Sequence, residues 1–352
     1  MCPRLGPIVP QRLRNNRGMR TVRHLIIAYA APPTVQQPDG GAPPPAPPAL
    51  PALQQALAHA TPQAQHVGDA WSLTPPHEHA YAQALGWTVA DGQLPWAAWH
   101  AGRVGVGCAW LWPCAWQAGL DHITIVPPQA LDVRPHEADA LRRALAPYAA
   151  DDGIVLRGDD PVRWHAEGAP FERWRSASLD RVAHRRADGW WRDAGSDPAA
   201  RTLLRLLNEA QMLFHDHPVN AERAARGQLP INGLWISGAG RWDGSGVAAS
   251  QTDVRLVDDL SVPATRGDAA VWAATWQTLD TTVLAPWLAE PAPDAAPRWL
   301  TLCGERGWRT WRLEPGAAPP PPERRPWRDL WGRLRGHPPA TAPATATWWS
   351  GL

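Results

Sequence analysis

Three short stretches of this chain hold side chains able to do chemistry. The first, His77-Glu78-His79, opens a helical segment, where an imidazole and a carboxylate could flank an anion held by free backbone N–H groups, or could form a solvated helix face. The second holds Asp180 and Arg181, inside a run from Arg173 to Arg192 that has six arginines interleaved with Trp174, Trp190 and Trp191. That mixture suits phosphate or stacked bases, although Glu172, Asp180 and Asp188 offset its charge. The third and richest runs from Asn208 to Gly240 and contains Asn208, Gln211, His217, Asn220, Arg223, Asn232, Trp235, Gly238 and Gly240. Asparagine is scarce, with five in the whole chain, and three of them fall within the 25 residues from Asn208 to Asn232. A short amide either locks a turn by bonding the backbone or reads a ligand's hydroxyl or phosphate.

Weaker signals sit nearby. His215-x-His217 beside Asp216 has metal-donor chemistry, but a capping or buried hydrogen-bonding role for His217 is the competing explanation. Asp121-His122 could be an acid/base pair, yet adjacent strand residues point to opposite faces. Gly238-x-Gly240 follows a strand-like run but lacks the third glycine of a dinucleotide-binding turn.

Periodicity indicates the elements that must position these groups. Val22 to Ala30 reads as a buried, β-branched first strand, and the Pro/Ala/Gly-rich loop after it, 32–48, as solvated linker. Helices are predicted over Leu50–Ala60, Pro76–Gly86 with Thr74 as cap, Pro135–Ala149, Ala200–His215, Ala221–Gly227 and Asp268–Leu288. Strands are predicted over Val104–Trp116, Asp121–Val126, Gly153–Arg157, Val162–Ala166, Gly233–Ser237, Trp299–Cys303 and Arg309–Leu313. This alternation argues for one α/β domain over 21–313. Residues 1–20 read as a disordered leader, with Met19 an alternative start, and 314–352 as a Pro/Ala-rich tail with an amphipathic helix around Trp327, Leu330, Trp331 and Leu334.

Composition narrows the function classes. A net charge of +1 gives no global field for nucleic acid or anionic lipid, so neither is an expected partner. No apolar run reaches the length of a membrane span, and the arginine-bearing start lacks the apolar core of a secretory signal. Cys2, Cys108, Cys114 and Cys303 form no C-x-x-C pair, which points to a reducing cytoplasm. All 34 basic residues are arginine, and the 23 tryptophans stand where other proteins carry Phe and Tyr.

The words Asn208-Glu-Ala-Gln-Met212, His217-Pro-Val-Asn-x-x-Arg223, Gly227-x-x-Pro-Ile-Asn232 and Leu234-Trp-Ile-Ser-Gly-Ala-Gly240 resemble the signature of the RpfE-type bacterial regulatory proteins. Leu73-Thr-Pro-Pro-His-Glu78, Leu94-Pro-Trp-Ala-Ala98, Trp112-Pro-Cys114, Asp121-His-Ile-Thr124 and Ala177-Ser-Leu-Asp-Arg-Val182 fall in the same order as similar words of that family. Part of the pattern also resembles archaeal-type cofactor-independent phosphoglycerate mutases. That second resemblance implies an alkaline-phosphatase-like α/β fold, with a central, mostly parallel sheet flanked by helices, two divalent metals and a serine nucleophile.

The departures from the mutases matter most. Their first strand ends on a metal-binding Asp, whereas this one ends in alanines and prolines. The nucleophile position falls near His77 rather than on a serine, with Ser72 and Thr74 a few residues away, and Leu302 to Trp308 offers only Glu305. The expectation is therefore a degenerate scaffold with no assigned catalytic residue, no metal ligands and no cofactor, serving a regulatory or ligand-sensing role. A phosphorylated small molecule or a regulatory protein is the expected partner. The alternative is a phosphotransferase or phosphohydrolase using Mn or Mg, held by residues such as His77, Glu78 and His217.

Overall fold

The computed structural model describes residues 22–33, 48–69, 71–158, 160–187, 190, 197–246, 253–290, 296–314, 349 and 352. The leader, most of the Pro-rich loop, the tail island around Trp327 and the end of the arginine run lie outside the described residues. The chain is mixed α/β. Its ten strands are β1 (His24–Ile27), β2 (Ala60–Val67), β3 (Gly107–Ala118), β4 (Ile123–Val126), β5 (Val155–Arg157), β6 (Trp164–Glu167), β7 (Gly233–Arg241), β8 (Val254–Val257), β9 (Arg298–Cys303) and β10 (Gly307–Leu313), counted among the described residues. Where the sequence reads as one domain, the described residues form two compact units: those within 69–246 make one, and those within 22–68 and 253–314 make the other.

The discontinuous unit holds a sheet in the order β2-β10-β9-β1-β8. β1 runs parallel to both β8 and β9, and β10 is antiparallel to β9 and β2. The parallel character expected from sequence thus holds at the centre of this sheet and gives way at its edge. Leu25, Ile26 and Ile27 are buried on both faces, which is why the first strand is an unbroken apolar run rather than an alternating one. Leu53, Trp272, Trp276, Leu300 and Leu302 fill the core against it. β2 is a strand that periodicity does not announce, because Ala60–Val67 is polar and largely exposed and forms only by pairing along β10.

The other unit holds an antiparallel sheet around the long β3, which pairs with β4, β6 and β7, while β6 pairs with β5. Ala109, Leu111, Trp164 and Ala166 face two helices, Pro135–Asp151 and Pro198–His215. The second helix begins where Asp197 accepts a hydrogen bond from the Ala199 N–H and a proline occupies its first turn. It buries Leu203, Leu206, Leu207, Ala210 and Phe214 along one stripe. Each large side chain there is worth about 1.5–3 kcal/mol in transfer from water.

β7 does not stop at Gly238 but continues to Arg241 through a bulge opposite Cys108 and Trp110. Gly238 takes the left-handed conformation at φ 61°, and a Cβ there would lie 2.8 Å from the Trp110 ring. Gly238 and Gly240 are therefore strand geometry, not a ligand-cradling loop.

Candidate functional site

The scarce asparagines act mainly as backbone clamps. Asn220 donates from Nδ2 to the Phe214 carbonyl (2.6 Å) and the Ile231 carbonyl (2.8 Å), and its Oδ1 accepts from the Ile231 N–H (2.8 Å). Asn232 repeats the device on β3. Its Oδ1 accepts from the Trp116 N–H (2.7 Å) and its Nδ2 donates to the Trp116 carbonyl (3.0 Å). Next to it, Gly233 leaves room for the indole, since a Cβ there would lie 2.8 Å from Cδ1 and Nε1 of Trp116.

Arg223 is fully engaged as well, which removes it from the ligand-contact set expected from sequence. Its Nε donates to the Leu229 carbonyl (2.8 Å), Nη2 to the Leu131 carbonyl (2.7 Å), and Nη1 to Oε2 of Glu137 (2.7 Å). Both side chains of that ion pair are buried. Glu137 also accepts from the Arg134 N–H at the start of its helix and from Arg226. His217 caps the helix Pro218–Ala225, its Nδ1 accepting from the Val219 N–H (3.2 Å). Trp235 is buried and donates from Nε1 to the Ala177 carbonyl (2.9 Å). In every case the side chain's hydrogen-bonding capacity goes to the protein's own backbone or to a buried partner.

The frame so built opens onto a cleft of about 930 Å³. One wall is the outer face of the Pro198–His215 helix, with Asn208, Gln211 and His215, and the other carries Trp116 and Asn232. Asn208 and Gln211 stand one turn apart, so their amides share a face. Neither side chain has a hydrogen-bond partner among the described residues. Each offers a donor pair and an acceptor to whatever enters.

A second group gathers His77, Glu78, Asp180 and Arg181. His77 Nε2 lies 3.2 Å from Asp180 Oδ2. Glu78 is buried, accepting from Ser178 Oγ (2.5 Å) and from Trp96 Nε1 (3.0 Å). Burial pushes its carboxyl above the usual range, with the charge of His77 opposing that shift. Arg181, also buried, donates to the Thr74 carbonyl (3.3 Å). Thr74 is not the helix cap. That position falls to Pro75, while the Leu73 and Thr74 N–H groups bind Asp91 and Thr74 Oγ1 accepts from Gly92. The arrangement is an internal polar joint between the start of the Pro76–Ala84 helix and the Leu179–Val182 turn. Asp121 and His122 bond each other at 2.8 Å on the exposed surface.

The implied metal centre is tested by its donor set. Beyond β1 stand Ala28, Tyr29 and Ala30, and the Tyr29 and Ala30 carbonyls accept from the indoles of Trp272 and Trp276 (2.9 Å each). β9 ends in Cys303, whose thiol burial pushes far above its ordinary range, followed by Gly304 and Glu305. Among the described residues no three His, Cys, Asp or Glu side chains lie together so as to hold a metal ion. These residues do not fit a two-metal site.

Sequence reasoning missed Trp116, Glu137 and Ser178 as partners. Cross-strand and interhelix pairing bring them in, and no local motif marks that.

The chain is an α/β protein of two units, and among its described residues no helix is long and apolar enough to cross a membrane. No family model matches it, and no curated protein does. Among solved structures it is distantly similar to the cofactor-independent phosphoglycerate mutase from Thermoplasma acidophilum DSM 1728, at 14% identity and a TM-score of 0.34, over 84% of this chain and 91% of that one. It is also distantly similar to the PH0037 protein from Pyrococcus horikoshii, at 10% identity and a TM-score of 0.45, over 84% of this chain and 88% of that one. At these values the likenesses assign no role to any residue.

Proposed function

We propose that this chain is a cytoplasmic regulatory protein of the RpfE type, which senses a small molecule in the cleft between Trp116 and the Asn208–His215 face and performs no metal-dependent chemistry there. The observation that carries the proposal is the division of labour in the motif. Asn220, Arg223, His217 and Asn232 hold backbone and ion pairs, while Asn208 and Gln211 turn unpartnered amides into the cleft they frame. Such a cleft, partly apolar with a few convergent polar groups, is the usual form of a small-molecule site. A bound regulatory protein partner would then read the liganded state.

The test is thermal unfolding of wild type and of the Asn208→Ala/Gln211→Ala variant with a metabolite panel that includes 3-phosphoglycerate. A ligand at a hundred times its dissociation constant adds about 2.7 kcal/mol of stability. A midpoint rise in wild type that the double variant loses supports the cleft; equal rises in both reject it.

One observation favours a second reading, a phosphoglycerate mutase-like phosphotransferase. His77 is held by Asp180 at 3.2 Å at the start of a helix, the position where the resemblance implies the nucleophile. That reading requires phosphoryl transfer dependent on Mn²⁺ or Mg²⁺ and abolished by His77→Ala.

A further inference from the structure

We infer that the ligand of this cleft is a short, extended peptide, bound by its backbone along an open edge of β3. The inference rests on the cleft being the binding site and names the class of ligand it takes.

The alternation of hydrogen bonds along β3 is the first argument. Successive residues of a strand turn their N–H and C=O groups to opposite edges. On β3 the odd-numbered residues serve the β6 and β4 edge: the Gly107 carbonyl accepts from the Gly168 N–H (2.9 Å), and the Gly119 N–H, just past the strand, donates to the His122 carbonyl (2.8 Å). The even-numbered residues serve the β7 edge: the Cys114 carbonyl accepts from the Asn232 N–H (3.2 Å), and both backbone groups of Trp116 meet the Asn232 side chain. Ala118 continues the even series. Its N–H and carbonyl therefore face the β7 edge at a position that β7 does not reach, and no described residue bonds them there. Ala118 is exposed and lines the cleft.

What already occupies this edge supplies the second argument. At Trp116 the ladder is completed by an amide, the Asn232 side chain giving one acceptor and one donor as a paired strand would. The next position on the same edge lies about 7 Å further along the strand and presents the same two backbone groups. It takes the same chemistry, a donor and an acceptor side by side, which one residue of an extended peptide supplies. The flanking residues of such a peptide turn their N–H and C=O groups the other way. Across the cleft stand Asn208 and Gln211, one turn apart, whose amides each offer donors and an acceptor to that second edge. Leu204 and Met212 give the lining apolar surface for the peptide's side chains, and the volume of about 930 Å³ is within the range for small-molecule sites.

The experiment is isothermal titration of the full chain with two blocked peptides, acetyl-trialanine methylamide and acetyl-trivaline methylamide, alongside adenosine, glucose and 3-phosphoglycerate. A third peptide is the trivaline compound with its central N–H replaced by an ester oxygen. At least one blocked peptide is expected to bind, and the ester should bind roughly threefold to tenfold more weakly than its amide, the loss of one backbone hydrogen bond. Ala118→Pro removes the N–H at the open position while Gln117 still pairs with Thr124 of β4, and proline is tolerated where a strand's N–H faces away from its ladder. It should weaken peptide binding about tenfold or more and leave the urea midpoint in place. Should that variant lose stability, the amide and ester comparison carries the same test on the wild-type chain. Asn208→Ala/Gln211→Ala, two changes on a helix surface that leave the core intact, should weaken the peptide by about threefold to tenfold. Equal affinity for amide and ester would overturn the inference. A non-peptide compound binding without any peptide, and lost in the double variant, would overturn the ligand class while leaving the cleft as the site. Binding of any compound undisturbed by both variants, or no binding at all, would overturn the inference together with the cleft reading.

Discussion

Replacing Arg223 with methionine separates a framing residue from a ligand contact. The wild-type guanidinium makes three hydrogen bonds, to Glu137 and to the Leu131 and Leu229 carbonyls, with no measurable opening to solvent around the Glu137 pair. Removing one partner of a buried ion pair costs about 3–5 kcal/mol, because the remaining charge keeps its desolvation penalty and loses its compensation. Here Arg226 stays within 2.6 Å of the other Glu137 oxygen and the Arg134 N–H still donates, so the lower end, about 3 kcal/mol, is expected. Arg223→Met/Glu137→Leu removes both charges. It should cost less than the two single changes together, by about 1 kcal/mol or more, and what remains is the loss of partners for the Arg134 N–H, for Arg226 and for the Leu131 and Leu229 carbonyls. Urea unfolding followed by tryptophan fluorescence reads this as a fall in midpoint at constant slope. The reasoning is refuted if Arg223→Met unfolds within about 0.5 kcal/mol of wild type, the range typical of a surface site, and yet fails to bind a ligand that wild type binds.

Burial lowers the His24 pKa from 6.5 to about 4, so its neutral form belongs to the folded state, where Nε2 lies 2.7 Å from Thr301 Oγ1. The stability it contributes is complete above pH 6.5 and is lost as pH falls through 6.5 toward 4, about 3 kcal/mol in all. His24→Gln should therefore lose less stability than wild type between pH 7 and pH 4.5, measured by urea midpoint. Glu78 has the opposite sign: a raised carboxyl pKa means that ionisation opposes folding, a cost absent below the ordinary value of 4.5 and growing as pH rises toward the folded value. Glu78→Gln can donate to Ser178 and accept from Trp96 as the protonated acid does. It should match wild type in acid and exceed it at pH 8, and a uniform loss at both pH values would refute this. Gly233→Ala, which places a methyl against the Trp116 indole, should cost about 1–3 kcal/mol by overpacking and weaken cleft binding in the same titration.

How much of this was legible in the sequence depended on range. β1 and the Pro198–His215 helix could be read because a buried run and a 3.6-residue stripe are local properties. β8 is four residues long and β2 is polar; each exists because a neighbouring strand templates it, and no local pattern records a neighbour. The same limit governs the site. His77, Glu78, Asp180 and Arg181 are chemistry-bearing by type, and they do meet, but inside a buried joint with Ser178 and Trp96 that only tertiary packing discloses. Gly238-x-Gly240 read as the end of a strand because glycine punctuates loops more often than bulges.

The three motif asparagines show why a residue type in a pattern is weaker evidence than its bonding. Asn220 and Asn232 each face a peptide unit in the antiparallel manner of a strand, one amide satisfying both an N–H and a carbonyl of a single residue. A third residue used in the same way would be buried and spent. Asn208 is instead exposed on the outer side of its helix, and neither it nor Gln211 gains anything from the fold. The clamps on Ile231 and Trp116 connect the end of that helix to the start of β7 and to β3, so they set the distance between the two walls on which Asn208 and Trp116 stand. Loosening either clamp should therefore degrade binding through geometry, with Asn232→Ala moving Trp116, whereas Asn208→Ala should degrade it through contact alone and leave the unfolding midpoint where it was.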